Sequence, residues 1–200
     1  TVRMQNAEYG LQRLRNFADT DIVIPNDRLL ELVPRAPLDQ AFRIADEVLM
    51  HSIKGITDII TKPGLVNLGF NDLKTIMRGG GVAMIGLGES DSDQRAEEAI
   101  EEAINSPLIE VDISDANGAL VNVTGGGDMT VGEAQKVAEI VQSRINPGAR
   151  IIWGAAVDPT LDHSLKVMVV ITGVKSRQIM GRTETAARAP VKEVGIDFIN

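Results

Sequence analysis

The feature that most constrains the fold of this chain is a helical period that continues unbroken from Leu38 to Thr61. Apolar residues recur there at steps of three and four, Pro37 suits the first turn of a helix, and Pro63-Gly64 would end it. At about 1.5 Å of rise per residue, such a helix is about 36 Å long, close to the diameter of a small domain. We therefore predict an architectural helix, such as one that runs through the middle of two subdomains.

Shorter helical and strand patterns alternate along the rest of the chain. From Gly81 onward they predict an α/β or α+β domain of about 100 residues, and beyond Val174 the composition is that of a disordered linker. The predicted helices cover residues 2–16, 38–61, 70–77, 92–105 and 131–145. The predicted strands are Asp21–Pro25, Val82–Leu87, Leu108–Ile113, Ala119–Thr124, Arg150–Ala155 and Leu165–Thr172.

The charge and the composition argue against several classes of function. The formal net charge is −8, which repels phosphate backbones and anionic lipids, so we expect neither nucleic acid nor a membrane surface as a partner. The chain has no cysteine, and His51 and His163 have no companion at the spacing of metal ligands, so we expect no metal site. Residues 1–10 lack the apolar segment of a secretion signal and no apolar run is long enough to span a membrane, which makes the cytoplasm the expected compartment.

Three glycine-rich stretches invite comparison with phosphate-binding loops. Gly86-Leu87-Gly88 lies between a predicted strand and a predicted helix, but Asp91 occupies the place of the third glycine of a dinucleotide motif. A carboxylate also follows Gly125-Gly126-Gly127, and Gly79-Gly80-Gly81 precedes a strand instead of a helix. We interpret all three as turns and caps, so the sequence predicts no phosphate-binding loop.

Phe42 and Asp46 are the best candidates for a ligand site on the long helix. At positions i and i+4 they share one face of the helix, about 40° apart. An aromatic ring can stack on guanine, and a carboxylate can accept hydrogen bonds from its N1–H and N2 amino groups, a donor pair that adenine lacks. The alternative is a core phenylalanine beside a solvated aspartate. In the loop Gly64–Asp72, Asp72 could orient a water molecule or cap the following helix.

Six segments of the chain resemble, in the same order, FtsZ, the tubulin-like GTPase family of prokaryotic cell division, and its archaeal members most of all. These segments are Asp21–Leu30, Ala41–Leu49, Ile60–Leu68, Gly81–Asp91, Ala119–Val123 and Ile151–Ala155. In fold, the resemblance implies the α/β end of the tubulin/FtsZ GTPase domain and its long central helix. An α+β C-terminal (activation) domain with a mostly four-stranded sheet and a disordered tail would follow.

The resemblance also implies that this chain is the C-terminal portion of such a protein. The nucleotide-binding sheet and the Gly-rich signature of the family are expected before Thr1, which agrees with the lack of a phosphate-binding loop. The implied regions are residues 1–36 (end of the nucleotide-binding domain), 37–62 (central helix), 63–80 (synergy loop and following helix), 81–174 (C-terminal domain), 175–193 (flexible linker) and 194–200 (adaptor-binding tail peptide).

By the same resemblance the ligand is GTP or GDP, with Mg²⁺ possible through the nucleotide. Arg3 matches an arginine that contacts the nucleotide near its ribose, and Asn26 matches an asparagine that hydrogen-bonds the nucleoside. Phe42 matches the residue that stacks on guanine, and Asp46 the one that accepts from its N1 and N2 donors. The resemblance therefore favours the ligand interpretation of Phe42 and Asp46 over the structural one.

Asn67 and Asp72 match the catalytic residues that the family supplies in trans to the GTP of a neighbouring subunit. The family pattern there is Asn-x-Asp-x-x-Asp, and Gly69 stands where the first aspartate belongs. Paired carboxylates would polarise the attacking water and help to hold a cation at the γ-phosphate. With Asp72 alone we expect slow hydrolysis, even where subunits dock.

The implied function is that of a cell-division GTPase that polymerises head to tail into filaments of the mid-cell division ring, with GTP hydrolysed between subunits. Ile196, Phe198 and Ile199 in the tail would bind membrane-tethering division adaptors through a few apolar anchors. We expect the chain alone to be inactive. Two other hypotheses stay open: a non-enzymatic module that docks on or caps filaments, and an unrelated small-molecule enzyme that uses residues 81–174.

Overall fold

The computed structural model describes residues 2–24, 37–61, 66, 69–106, 109 and 112–174. Within these residues the chain forms five helices and five strands. The helices are α1 (Val2–Leu14), α2 (Leu38–Thr61), α3 (Phe70–Met77), α4 (Arg95–Ile104) and α5 (Val131–Arg144). The strands are β1 (Thr20–Ile22), β2 (Gly81–Ser90), β3 (Gly118–Gly125), β4 (Arg150–Val157) and β5 (Leu165–Thr172).

The long helix predicted from the apolar period is confirmed, because α2 begins at Leu38 and ends at Thr61. Helix α3 and strand β5 also have the predicted bounds. The ends of the remaining predicted elements, one strand excepted, lie within a few residues of the prediction. Local signals therefore place the elements well, since apolar periodicity and the flanking Pro and Gly residues act within the segment itself.

The strand predicted at Leu108–Ile113 is wrong where the structure can test it. Of this segment the structure describes Ile109 and residues 112–113, and these lie outside the sheet. The Ile109 N–H donates to the Ser106 carbonyl at 2.8 Å, and the Ile113 carbonyl accepts from the Ala116 N–H at 3.0 Å, so these backbone groups close turns. Both isoleucines are nevertheless buried, which explains why the apolar pattern was typical of a strand.

All five strands belong to one sheet with the order β1-β2-β5-β3-β4. Strand β5 lies antiparallel between β2 and β3, whereas β1 is parallel to β2 and β4 is parallel to β3. Residues 81–174 supply four strands, as the family resemblance implies, and β1 adds a fifth strand beside β2. It is attached through hydrogen bonds from the Gly81 N–H to the Asp19 carbonyl at 3.0 Å and from the Val23 N–H to the Ala83 carbonyl at 3.1 Å.

The sheet is the middle layer of three, because side chains alternate between its two faces. On one face Val121 and Val169 pack with the apolar sides of α4 and α5. On the opposite face Leu120 packs with Ile56 of α2 and Leu73 of α3. Helices α2 and α3, which flank the predicted catalytic loop, therefore share the second face of the sheet.

Gly86 and Gly88 lie inside β2, which corrects their interpretation as turn or cap residues. A β-carbon on Gly86 would be 2.0 Å from the Ala103 carbonyl oxygen, and one on Gly88 would be 2.1 Å from that of Ala99. The two glycines thus allow the backbone of α4 to approach the strand closely. Their spacing resembles a nucleotide motif because both uses need glycine where backbones or ligands come near.

Candidate functional site

Four of the nine predicted site residues lie in the part of the chain that the structure describes. Arg3 is exposed in the first turn of α1, Phe42 and Asp46 are in the first half of α2, and Asp72 is in the first turn of α3. The other five fall outside the described residues, so their predicted roles stay predictions. These are Asn26, Asn67, Ile196, Phe198 and Ile199.

Phe42 and Asp46 are both exposed on the same face of α2. The exposed fraction of Phe42 is 62%, so this phenylalanine is not a core residue of the described structure. A flat aromatic surface and a carboxylate one helical turn away are therefore open to a ligand or to another domain. This is the arrangement that stacking on guanine and acceptance from its N1–H and N2 groups require.

Further apolar side chains on α2 share the face of Phe42. Their spacing by multiples of about one turn keeps them within a narrow stripe, and each is largely uncovered: Ile53 is 67% exposed and Leu49 is 45% exposed. We refer to Phe42, Leu49, Ile53 and Ile60 as the uncovered stripe. A stripe of this length is unusual on a helix whose surface meets only water, so it marks a contact surface.

Asp72 caps helix α3. Its Oδ2 atom accepts a hydrogen bond from the Gly69 N–H at 3.0 Å, and Gly69 is the N-cap residue with extended backbone angles. The capping interpretation of Asp72 is therefore confirmed, and its side chain remains exposed at the end of the molecule where α3 begins. A carboxylate held by a cap is oriented, which suits it to a role toward a partner as well.

The substitution at Gly69 is not required by the backbone. Its φ of −83° is open to any residue, and a β-carbon there would lie 3.3 Å from Asp72 Oδ2, a tight contact that a small shift relieves. An aspartate at this position would thus place a second carboxylate beside Asp72. The local geometry is compatible with the paired carboxylates of the family pattern.

The segment between α2 and α3 is fastened to the sheet at Val66. The Val66 N–H donates to the Ala155 carbonyl at 3.4 Å, and the Ala155 N–H donates to the Val66 carbonyl at 3.3 Å, which makes an antiparallel bridge to β4. After Asp72, the buried side chains of Leu73 and Ile76 hold α3 against the sheet. Sequence reasoning missed this bridge, because a single pairing leaves no local pattern.

A charged cluster that sequence reasoning also missed joins α4 to α5. Arg95 is only 5% exposed, and it contacts Glu133 Oε1 through Nε at 2.6 Å and Asp128 Oδ2 through a terminal nitrogen at 2.7 Å. His163 Nδ1 lies 2.8 Å from the same Asp128 oxygen. The capping box formed by Thr130 and Glu133 is visible in the sequence. The ion pair of Glu133 with Arg95, 38 positions earlier, is not.

The hydrogen bonds from Arg95 lower the pKa values of Glu133 and Asp128, with further lowering by Thr130 and by His163 respectively. The pKa of Arg95 is raised, first by its hydrogen bond to Glu133, so the guanidinium stays charged. Arg95, Asp128 and Glu133 thus each have an ionic partner and stay charged near neutral pH. These contacts hold the N-termini of two helices together.

A cleft of about 470 Å³ separates the second half of α2 from the sheet. Its lining includes His51, Lys54 and Asp58 from the helix and Asn122 and Lys166 from the sheet. The Asn122 Nδ2 atom donates a hydrogen bond to the Gly55 carbonyl at 3.4 Å. A β-carbon on Gly55 would be 2.4 Å from Met168 Sδ. Helix α2 therefore touches the sheet closely at Gly55 and diverges from it on the cleft side.

Among the residues that the structure describes, no three His, Cys, Asp or Glu side chains are grouped so that they could hold a metal ion. No helix there has the length and apolarity needed to cross a lipid bilayer.

Comparison with known sequences identifies relatives along almost the whole chain. Residues 81–175 match the model of the FtsZ family, C-terminal domain. A Haloferax mediterranei protein named cell division protein FtsZ is 58% identical over 199 residues, which are 99% of this chain and 53% of that protein. Cell division protein FtsZ 1 of Archaeoglobus fulgidus is 54% identical over 198 residues, again 99% of this chain and 53% of the relative.

Comparison with solved structures gives the same result for the fold. The FtsZ dimer of M. jannaschii superimposes with a TM-score of 0.84 at 53% identity, over 88% of this chain and 51% of that one. CetZ2 of Haloferax volcanii superimposes with a TM-score of 0.70 at 18% identity, over 88% of this chain and 54% of that one, which supports the fold alone. This chain spans about half the length of the curated relatives that it matches. More than half of the residues are thus identical to those of the named FtsZ relatives along nearly the full chain, and residues 81–175 match the C-terminal domain of the FtsZ family in sequence and in fold.

Proposed function

We propose that this chain is the guanine-facing and activating part of a cell-division GTPase that polymerises head to tail, with GTP hydrolysed between subunits of the division-ring filament. The observation that carries the proposal is the joint exposure of Phe42 and Asp46 on one face of α2. The names of the relatives support a role in cell division. The nucleotide-binding part, which the matched relatives' additional length would supply, lies against the uncovered stripe.

At the base, Phe42 supplies the stacking surface and Asp46 the specificity. The carboxylate accepts from N1–H and from the N2 amino group of guanine together, whereas adenine has no donor at either place. Arg3 and Asn26 contribute contacts nearer the ribose and the nucleoside. The phosphates and their Mg²⁺ are bound elsewhere, since none of the glycine-rich stretches forms a phosphate-binding loop: Gly86 and Gly88 are used for helix packing.

Hydrolysis takes place at the contact between subunits. The γ-phosphate of one subunit meets the segment of the next that carries Asn67 and Asp72, where Asp72 orients the attacking water and Asn67 assists. The cap to Gly69 holds Asp72 in one rotamer before docking. Polymerisation then activates hydrolysis, and loss of the γ-phosphate weakens the contact.

The base contacts are tested in a two-domain protein in which residues 1–200 replace the matching half of the Haloferax mediterranei relative. Asp46→Asn should lower the affinity for GTP about 10-fold or more, because the hydrogen bonds to a charged acceptor are lost. ITP lacks the 2-amino group and should be affected less. The matched control is Glu47→Gln, an exposed neighbour that faces a different direction on α2. Equal affinities of Asp46→Asn and Glu47→Gln for GTP would contradict the assignment.

The catalytic assignment is tested in the same protein by two opposite changes at the cap of α3. Asp72→Ala should abolish assembly-dependent turnover and leave GTP binding intact, whereas Gly69→Asp should raise turnover by restoring the second carboxylate. Phosphate release is measured together with sedimentation of the polymer. Turnover that persists in Asp72→Ala polymers would show that the loop has been assigned wrongly.

The proposal extends to the tail, which lies outside the described residues. Ile196, Phe198 and Ile199 form the apolar anchors for membrane-tethering adaptors, and the filament presents many copies of them. Deletion of the last six residues should remove adaptor binding and leave polymerisation unchanged. Adaptor binding that survives the deletion would place the contact elsewhere.

A further inference from the structure

We infer that the backbone bridge between Val66 and Ala155 is a positioning contact, through which the edge strand β4 fixes the place of the segment that carries Asp72. The inference rests on the proposed function and adds to it a positioning role for the backbone amides of Val66 and Ala155. Its basis is a pair of hydrogen bonds, from Val66 N–H at 3.4 Å and from Ala155 N–H at 3.3 Å.

Ala155, the bridge partner of Val66, is a buried residue of β4. This residue is 3% exposed, so water does not reach it, and a buried backbone N–H and carbonyl need partners within the protein. On β4 the neighbouring residues alternate, so that one set pairs with β3 and the other set faces the open edge of the sheet. Among the described residues, Val66 supplies both partners for Ala155. The bridge is therefore required by the edge strand as well as by the loop.

A short stretch of chain joins the bridge at Val66 to the Asp72 carboxylate. Gly69 is three positions after Val66, which limits the distance between their Cα atoms to about 10 Å at full extension. The Gly69 N–H in turn binds Asp72 Oδ2 at 3.0 Å. On the far side, Leu73 and Ile76 are buried against the sheet. Asp72 is thus fastened on both sides, by the bridge before it and by the α3 contacts after it.

Loss of the Val66–Ala155 bridge would affect one part of the reaction and leave another unchanged. Among the described residues, no other backbone hydrogen bond joins the chain between Thr61 and Gly69 to the sheet, so loss of the bridge would free this segment while α3 and its cap remain. In the proposed function, Phe42 and Asp46 bind GTP. They lie about four helical turns or more before the end of α2 at Thr61, so loss of the bridge should not change the affinity for GTP. The reaction between subunits should respond, because a shift of about 1 Å in a catalytic group can cost on the order of 100-fold in rate.

The experiment uses the two-domain protein described above with substitutions at position 66. Val66→Pro deletes the donor of one bridge bond, and Val66→Ala is the matched control, since it shortens the side chain and keeps both backbone bonds. We expect Val66→Pro to lower kcat per polymerised subunit about 10-fold or more. The KM for GTP and the protein concentration needed for assembly should stay within about twofold of those of Val66→Ala.

A second variant guards against loss of the fold in Val66→Pro. The α-hydroxy analogue of valine at position 66 replaces the amide by an ester, which removes the N–H and leaves the side chain and the strand geometry in place. Trp153, the one tryptophan of the chain, is on β4 two residues from Ala155, so an unchanged fluorescence spectrum reports an intact sheet edge. The ester variant should reproduce the loss in kcat.

The outcomes separate the inference from the proposed function. If Asp72→Ala polymers lack turnover while the ester variant and a folded Val66→Pro keep the kcat of Val66→Ala, the bridge has no positioning role and the proposed function stands. If Asp72→Ala polymers keep turnover, both are overturned. A fall in kcat with the assembly concentration and KM unchanged supports the inference, since general loosening of the fold would change all three.

Discussion

Residues 81–174 and residues 2–61 have similarly apolar segments but bury them to very different degrees. Strands β2 to β5 with α4 and α5 supply the fully buried side chains, such as Met84, Ile100, Leu120 and Ile171. In the first 61 residues many large apolar side chains are exposed instead. They are Val2, Tyr9, Leu14, Phe17, Phe42, Leu49, Met50, Ile53 and Ile60.

The difference shows where apolar surface is left uncovered. The sheet is covered by α4 and α5 on one face and by α2 and α3 on the other, so its strands leave little apolar surface exposed. Helix α2 packs on the sheet through one side, at Gly55 and Ile56, and leaves the side chains of its uncovered stripe exposed. We propose that the stripe receives the remaining half of the two-domain protein. Four changes, ordered from the largest expected effect to the smallest, test this contrast.

Gly86→Ala should be the most damaging change to the sheet and the helices that cover it. Its β-carbon would lie 2.0 Å from the Ala103 carbonyl oxygen, so α4 must move off β2. We expect the free energy of unfolding to fall by about 3 kcal/mol or more, measured by urea titration of Trp153 fluorescence. Gly127→Ala is the control, because a β-carbon there meets nothing within 4 Å. Equal stabilities of the two variants would contradict the close approach of α4 and β2.

Arg95→Met should cost about 2 to 3 kcal/mol of unfolding free energy, because the buried guanidinium makes charged hydrogen bonds to Asp128 and Glu133. Arg144→Met removes an exposed pair with Glu101 and should cost less than about 1 kcal/mol. Urea titrations of both variants measure the two losses. A loss for Arg95→Met no greater than that for Arg144→Met would mean that the cluster does not hold α4 and α5 together.

Acid should weaken the same region through the same cluster. The pKa values of Asp128 and Glu133 are lower in the folded state than in the unfolded chain, so their contribution is present above the ordinary carboxyl pKa of about 4 and is lost as the pH falls through the folded values. We expect unfolding free energy to decline below about pH 5. The decline should be smaller in Arg95→Met, and an identical pH profile for the variant would assign the effect to other carboxylates.

Ile53→Ser should change the stability of the 200-residue chain by less than about 0.5 kcal/mol, since Ile53 is 67% exposed and the two residues have similar helix propensities. In contrast, it should weaken association with the separately produced N-terminal half of the Haloferax mediterranei relative, measured by calorimetry. Glu47→Ser, on another side of α2, is the control for association. A large loss of stability in the chain alone would show that the stripe is covered from within.

The sequence predicts the local elements of this fold much better than the contacts between them. Helix α2 has its predicted bounds because Pro37 and Pro63 flank a sustained apolar period, and β5 has its predicted bounds because its residues are apolar except for Lys166 and Thr172. Three contacts join distant segments and leave no pattern in the local sequence. They are the bridge at Val66, the ion pairs of Arg95 and the close approach of Gly86 to α4. The pairing of β1 with β2 belongs to the same class.

The sequence likewise predicts some features of the candidate site and not others. The helical period was enough to place Phe42 and Asp46 on one face, since i and i+4 positions always share a side of a helix. Their assignment to guanine came from the family resemblance, because spacing alone allowed a core phenylalanine as well. The cap made by Asp72 was foreseeable from its position at a helix start, whereas the anchoring of the preceding residue to β4 depends on the tertiary fold.

The central place of β5 in the sheet has a consequence for the order of folding. Met84 pairs with Ile171 and Ala119 pairs with the same residue from the other side, so the inner strands are joined only through the last strand of the domain. During synthesis β3, α5 and β4 can assemble early as a parallel unit, but β2 has no antiparallel neighbour until Thr172 has emerged from the ribosome. Pairings this distant in sequence also favour slow folding. The apolar strand Gly81–Ser90 therefore has only β1 beside it in the sheet until β5 has been synthesised, and during that interval its other edge is open to wrong pairing.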